Sequence, residues 1–183
     1  MKIRKMNLAN KLTMLRLFMV PVFIILFNIY GTDNAVAAIV FALTASTDFL
    51  DGHVARKYDL VTTFGKFLDP LVDKVLTQAG YIVLTGAGLI PAWTVVVIVF
   101  RELLITGLRT VAASNNVTIA ASMYGKIKTT TQFIAIIAFL LKGILPLPSI
   151  VFDILLYISV IMTIISGGDY LIKNKNVLDL DNI

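Results

Sequence analysis

Asp48 and Asp51 stand three residues apart, Asp69 and Asp73 stand four apart, and all four lie in or beside strongly apolar runs. On a helix either spacing puts both carboxylates of a pair on one face. An aspartate facing lipid at depth is expensive, so the four are expected to face the interior of a helix bundle, two antiparallel helices opposing them across one cavity. Four close negative charges repel or take up protons unless a cation neutralises them. The sequence has no cysteine and a single histidine, His53, so thiolate nucleophiles, disulfides and multi-histidine metal sites within one subunit are excluded, and any metal has to be held by oxygen. All-oxygen ligation selects Mg²⁺, Mn²⁺ or Ca²⁺, and a site that also keeps water and phosphate favours Mg²⁺ or Mn²⁺. Structural ion pairs with Arg56, Lys66 or Lys74 are the alternative for any one of the four.

The elements that must carry these residues are membrane helices. Of 183 residues 58% are hydrophobic, and the mean hydropathy is +0.89, above an ordinary soluble domain. With about 20 apolar residues needed per crossing, six spans fit: Leu12 to Ile29, Ala35 to Leu50, Leu68 to Thr85, Pro91 to Ala113, Lys126 to Lys142 and Ser149 to Ile172. Turn signals separate them at Gly31 to Asn34, Gly86 to Gly88, Ser114 to Asn116 and Gly143 to Pro148. The basic segment Met1 to Lys11 leads into the first apolar run with no small-residue cleavage site before Pro21 and Phe23, and is expected to stay as part of a first span. Lys2, Arg4, Lys5 and Lys11, then Arg56, Lys57 and Lys66, then Lys126 and Lys128, then Lys173 and Lys175 mark alternate connections on one side, against Lys142 alone on the other. The positive-inside rule then puts both termini in the cytoplasm. The expectation is one all-α integral membrane domain over 1–183, a polytopic six-helix bundle. Its net charge of +5 fits anionic lipid and phosphate substrates, with no nucleic acid as partner.

The segment Asp48-Phe-Leu-Asp51-Gly52-His-Val-Ala55-Arg56, then eight residues, then Gly65-Lys-Phe-Leu-Asp69-Pro-Leu-Val-Asp73 matches the signature D-x-x-D-G-x-x-A-R-(x8)-G-x-x-x-D-x-x-x-D at every fixed position. It resembles the CDP-alcohol phosphotransferase family, and with the six-span layout the resemblance covers essentially the whole chain. Gly52, Gly65 and Ala55 suit close approach of a substrate or a neighbouring helix, and equally suit a tight helix crossing without chemistry. Arg56 can present a planar charged fork to a diphosphate. The resemblance implies that Asp48, Asp51 and Asp69 are primary ligands of two Mg²⁺ or Mn²⁺ ions. It further implies that Asp73 contributes to the metal site and is the general base on the acceptor hydroxyl, that CDP-diacylglycerol is the donor, that the site faces the cytoplasm at the cell membrane, and that the enzyme is a homodimer. His53 falls in a variable slot of the signature and is given no catalytic role.

Downstream, Arg101-Glu102 with Arg109, followed by Gly125-Lys126-Ile127-Lys128-Thr129, resembles the branch of the family whose acceptor is glycerol 3-phosphate. The expected acceptor-phosphate cations are Arg101, Arg109, Lys126 and Lys128; as positive-inside anchors, Arg109, Lys126 and Lys128 would need no ligand. Arg101 lies about 15 Å along its helix from Pro91 at 1.5 Å per residue, too deep for such an anchor. Glu102, adjacent to it, is expected to point elsewhere and to need a partner from another span or a wet cavity. Asn10, Thr13 and Arg16 resemble the family segment N-x-x-T-x-x-R and give Asn10 and Thr13 as donor contacts; Asn10 as a helix cap and Arg16 as a snorkelling anchor are the alternatives. Trp93 and Tyr30 read as an outer aromatic belt.

The implied reaction moves a phosphatidyl group from CDP-diacylglycerol to glycerol 3-phosphate, giving phosphatidylglycerol phosphate and CMP in phospholipid biosynthesis. Serine, an inositol phosphate or another alcohol is the competing acceptor. A cation-coupled transporter is disfavoured because the acidic segment has no counterpart in the second half. Exhaustive chelation is expected to abolish CMP release by the purified protein, and added Mg²⁺ or Mn²⁺ to restore it. Full turnover at negligible measured metal content contradicts the carboxylate site.

Overall fold

A computed structural model describes residues 8–57, 63–115, 117–120 and 122–177, with side chains described except at 8–12, 47–57, 63–70, 73 and 176. Among the described residues there are six α-helices, one 3₁₀ turn and no strand: α1 Leu8–Tyr30, α2 Val36–Lys57, α3 Thr63–Gly86, α4 Ala92–Ser114, α5 Met123–Leu140, α6 Ser149–Lys173, then Lys175–Val177. The expected order of elements is thus the observed one, but the boundaries move. α2 runs past Leu50 to Lys57 and α3 starts at Thr63, well before Leu68. Hydropathy falls where charge begins, whereas the backbone hydrogen-bond ladder continues through charged residues without penalty. The aspartate signature therefore lies on helical backbone at the facing ends of α2 and α3.

Local signals set the ends. Asn34 Oδ1 accepts from the Val36 N–H at 2.9 Å ahead of α2, Ser122 Oγ accepts from the Gly125 N–H at 3.1 Å as the cap of α5, and Pro91 and Pro148 stand in extended conformation just before α4 and α6. Gly31 and Gly88 take positive φ, 58° and 72°, in the turns leaving α1 and α3.

α3 packs against α1, α2, α4 and α5, and α6 closes the other side against α4 and α5. The apolar core runs through Phe23, Phe41, Tyr81, Ile136, Phe139 and Phe152. Its rings meet at tilted angles, Phe23 to Phe41 at 5.3 Å and Phe139 to Phe152 at 5.8 Å between centroids. Gly80 sits where α3 passes α2 and α5 most closely: a Cβ there would lie 3.0 Å from Ile136 Cγ2 and 3.1 Å from a Phe41 ring carbon.

The outside is apolar too. Phe18, Ile25 and Ile29 on α1, Val96, Phe100 and Leu103 on α4, and Ile154, Ile161 and Ile164 on α6 are exposed, while Ser159, Thr163 and Ser166 of α6 are fully buried. By length and composition, Thr13–Tyr30 and Ser149–Lys173 are long and apolar enough to cross a membrane, and Val36–Ser46 is a shorter apolar stretch. The other helices interrupt their apolar runs with charge, as α4 does at Arg101, Glu102 and Arg109. Trp93 and Tyr30 are exposed, and Trp93 stacks on Tyr157 at 6.1 Å.

Gly80→Val is expected to destabilise the solubilised protein by about 1–3 kcal/mol, the usual cost of overpacking. A melting temperature equal to wild type would show that the three-helix crossing is looser than the contacts require.

Candidate functional site

One cavity of about 830 Å³ is lined by residues of all six helices, α1 through Arg16. Its apolar wall is built from Leu76, Ile98, Ile105, Phe133 and Ile137. Among the described residues, six cations, Arg16, Lys74, Arg101, Arg109, Lys126 and Lys128, line it together with the carboxylate of Glu102. Clustered cations under low-dielectric walls raise the local positive potential. Among the described residues the lining includes Ser46 on α2, two residues before Asp48, and Lys74 on α3, the residue after Asp73.

The four cations expected to hold an acceptor phosphate all line this cavity, in two different states. Arg101 and Lys128 are 8% and 6% exposed, and both are tied to one oxygen of Glu102: Arg101 Nη1 donates to Oε1 at 3.0 Å, and Lys128 Nζ donates to the same Oε1. Arg101 Nη2 also donates to Ser166 Oγ at 2.6 Å. Arg109 and Lys126 are exposed. The expectation that Glu102 points away from Arg101 is corrected here. Adjacent helical side chains do not normally face each other, but both are long: Arg101 lies against α6 and its Nη1 meets the Glu102 carboxylate, which Lys128 of α5 also engages. Gly167 leaves room for this, a Cβ there lying 3.2 Å from Arg101 Cγ.

Arg109 is held from α6. Its Nη2 donates to the Tyr170 hydroxyl at 2.7 Å, and the Ser122 N–H donates to the same hydroxyl at 3.0 Å. The two guanidinium carbons of Arg101 and Arg109 lie 5.5 and 5.2 Å from the Tyr170 ring centroid, within cation–π range. Lys74 Nζ donates to Thr106 Oγ1, which in turn donates to the Glu102 carbonyl. Arg16 lines the cavity at 2% exposure, which rules out a snorkelling anchor; Thr13, one turn before it, is buried.

Asn10, Asp48, Asp51, Gly52, Ala55, Arg56, Gly65, Asp69 and Asp73 have side chains outside the described residues. Their backbones stand on α1, α2 and α3, and α2 packs on α3. By residue type, two aspartates on each of two helices would offer carboxylate oxygens, the donor chemistry that suits a hard divalent cation. Among the described residues no group of three His, Cys, Asp or Glu could hold a metal elsewhere.

A family model for CDP-alcohol phosphatidyltransferases matches residues 6–165. The chain belongs to the CDP-alcohol phosphatidyltransferase family. It is 42% identical to the CDP-diacylglycerol–glycerol-3-phosphate 3-phosphatidyltransferase of Bacillus subtilis, over 96% of this chain and 99% of that one. It is 40% identical to a probable phosphatidylglycerophosphate synthase of Mycobacterium tuberculosis, over 91% of this chain and 81% of that one. With the Haemophilus influenzae protein named as in Bacillus the identity is 36%, over 98% of each chain. Members of this family are in general divalent-metal enzymes of lipid biosynthesis.

In the sequence, spacing and the cost of charge in an apolar run point to the aspartates and the family resemblance to the four cations; Lys74 is read there only as an ion-pair partner, and Tyr170 and Ser166 are not singled out. For the α6 residues a signal was present: Ser159, Thr163, Ser166 and Tyr170 recur at intervals of four, three and four on an otherwise isoleucine-rich helix, marking one polar face turned inward.

Glu102→Gln removes the charge that two buried cations share, and is expected to cost about 3–5 kcal/mol of stability, the scale of a broken buried ion pair. Adding Lys128→Met should return much of that loss. A single variant that melts as wild type does would show that the triad is solvated.

Proposed function

We infer that this protein transfers the phosphatidyl group of CDP-diacylglycerol to glycerol 3-phosphate, releasing CMP and forming phosphatidylglycerol phosphate. The observation that carries this reading is the pair of exposed cations, Arg109 and Lys126, on a cavity whose α2 and α3 walls run into the aspartate signature. Relatives bearing that activity in their names, at 36% to 42% identity over nearly the whole chain, support it.

The donor's diphosphate lies at the signature end, met by the Arg56 fork, with Gly52, Ala55 and Gly65 keeping the helix surfaces shallow and Asn10 and Thr13 contributing from α1. Asp48, Asp51, Asp69 and Asp73 would hold two Mg²⁺ or Mn²⁺ ions, whose chemistry there would be charge neutralisation at the diphosphate. Arg109 and Lys126 grip the acceptor's phosphate, while Arg101 and Lys128, fixed on Glu102, deepen the positive potential behind it. Asp73 takes the proton from the acceptor hydroxyl as its oxygen attacks the phosphatidyl phosphorus. The bond from that phosphorus to the CMP phosphate oxygen breaks, and CMP leaves with the electron pair. Holding both substrates in line supplies much of the rate.

On this reading all six helices cross the membrane, both termini are cytoplasmic, and the cavity opens on the cytoplasmic side. The exposed isoleucine, valine and phenylalanine side chains of α1, α4 and α6 support lipid contact, and basic residues on alternate connections support the orientation. One domain over 1–183 carries the chemistry, and two copies form the enzyme.

The test compares CMP release with glycerol 3-phosphate, glycerol, serine and inositol phosphate under one condition. Glycerol 3-phosphate is expected to be strongly preferred, and Arg109→Ala and Lys126→Ala to raise its KM or depress turnover by about 10- to 150-fold, the loss of one charge-assisted contact each. Preference for any of the other three would overturn the acceptor while leaving the family reaction in place.

A further inference from the structure

Tyr170 of α6 meets both Arg109 of α4 and the Ser122 cap of α5 at the acceptor end of the cavity. It is 3% exposed and lines the cavity. Its hydroxyl accepts from Arg109 Nη2 at 2.7 Å and from the Ser122 N–H at 3.0 Å. Ser122 is the cap of α5, and Lys126 stands one turn further along that helix. One phenolic oxygen thus joins the guanidinium of α4 to the first turn of α5, the two elements that carry the exposed cations. The ring below completes the seat: both arginines lie over it within 5.5 Å of its centroid. Gly125, in the same first turn, approaches the ring closely enough that a Cβ would lie 3.5 Å from Tyr170 Cε2.

An exposed arginine on a flexible stem loses rotamer freedom when it closes on a ligand. A guanidinium already stacked and hydrogen-bonded loses less. We propose that Tyr170 is a positioning residue for the acceptor: its hydroxyl holds Arg109 beside the N-terminus of α5, the end of the helix that carries Lys126. The inference rests on the reading that Arg109 and Lys126 bind the acceptor's phosphate. It makes the phosphate clamp a three-helix device, in which α6 contributes no charge and holds the guanidinium of α4 beside the N-terminus of α5.

Tyr170→Phe keeps the ring and both cation–π contacts and removes only the shared acceptor. The measurements are the KM for glycerol 3-phosphate, the KM for CDP-diacylglycerol and kcat, in wild type, Tyr170→Phe, Arg109→Ala and the double variant, with a melting curve for each. The expected result is a rise of about 10-fold in the glycerol 3-phosphate KM for Tyr170→Phe, the scale of one lost hydrogen bond to a charged group. The KM for CDP-diacylglycerol should stay near wild type, and the double variant should be no worse than Arg109→Ala alone, because the hydroxyl acts through that guanidinium. If Arg109→Ala raises the acceptor KM but Tyr170→Phe does not, or if the two effects multiply, the positioning role is overturned and the phosphate site stands. If Arg109→Ala leaves the acceptor KM unchanged, the phosphate site itself is overturned and the positioning role with it. Equal rises in both KM values with a lowered melting temperature reduce Tyr170 to a packing residue.

Discussion

Glu102 holds two cations on one oxygen, Arg101 from its own helix and Lys128 from α5, inside a bundle whose outer surface is apolar. Removing charge from water is costly, and the cost is offset only when partners and hydrogen bonds are complete. That requirement fixes much around it. α4 and α5 must stay in the register that brings residue 102 to residue 128, α6 must present Ser166 to Arg101 Nη2, and Gly167 must lack a side chain where Arg101 passes. The network leaves a net positive charge, which is the property an anion-binding cavity needs.

The same logic runs along α6. Outward it shows isoleucines, and toward the bundle Ser159, Thr163, Ser166 and Tyr170. Between them the inward residues are matched to three helices. The Ser159 hydroxyl donates to the Leu156 carbonyl at 2.7 Å, which leaves the Tyr81 hydroxyl of α3 to donate to Ser159 Oγ at 3.0 Å. Gln132 Nε2 of α5 donates to Thr163 Oγ1 at 2.9 Å. Ser166 and Tyr170 take the two arginines of α4. Where apolar contact alone does not distinguish neighbouring helices from lipid, such polar pairs specify which helix lies beside which.

The number and order of helices were legible in the sequence because apolar runs and turn residues mark them, Gly31, Gly88, Pro91 and Pro148 among them. The inner ends of α2 and α3 were placed several residues short, because the hydropathy of Asp51 to Lys57 and of Thr63 to Lys66 reports solvent preference, not backbone conformation. The cations of the cavity were legible as types, Arg101, Arg109, Lys126 and Lys128, but not as states. That two of them are spent on Glu102 and two stay exposed depends on the register of α4 against α5, which no local pattern encodes. Tyr170 illustrates the opposite failure: the inward polar face of α6 can be read from spacing, yet its partners on α4 and α5 are more than forty residues away in sequence. The aspartate roles and the donor contacts of Arg56 and Asn10 rest on the signature and the family, with their side chains outside the described residues.

The proposed account divides one cavity into a metal and diphosphate end at the facing ends of α2 and α3 and a phosphate end between α4 and α5. The most direct test is a crystal structure of the protein with Mn²⁺ and glycerol 3-phosphate, using anomalous scattering to find the metal. The account predicts Mn²⁺ bound by Asp48, Asp51, Asp69 and Asp73, and the acceptor's phosphate in contact with both Arg109 and Lys126. Manganese bound away from those aspartates, or a phosphate that touches neither cation, would contradict it.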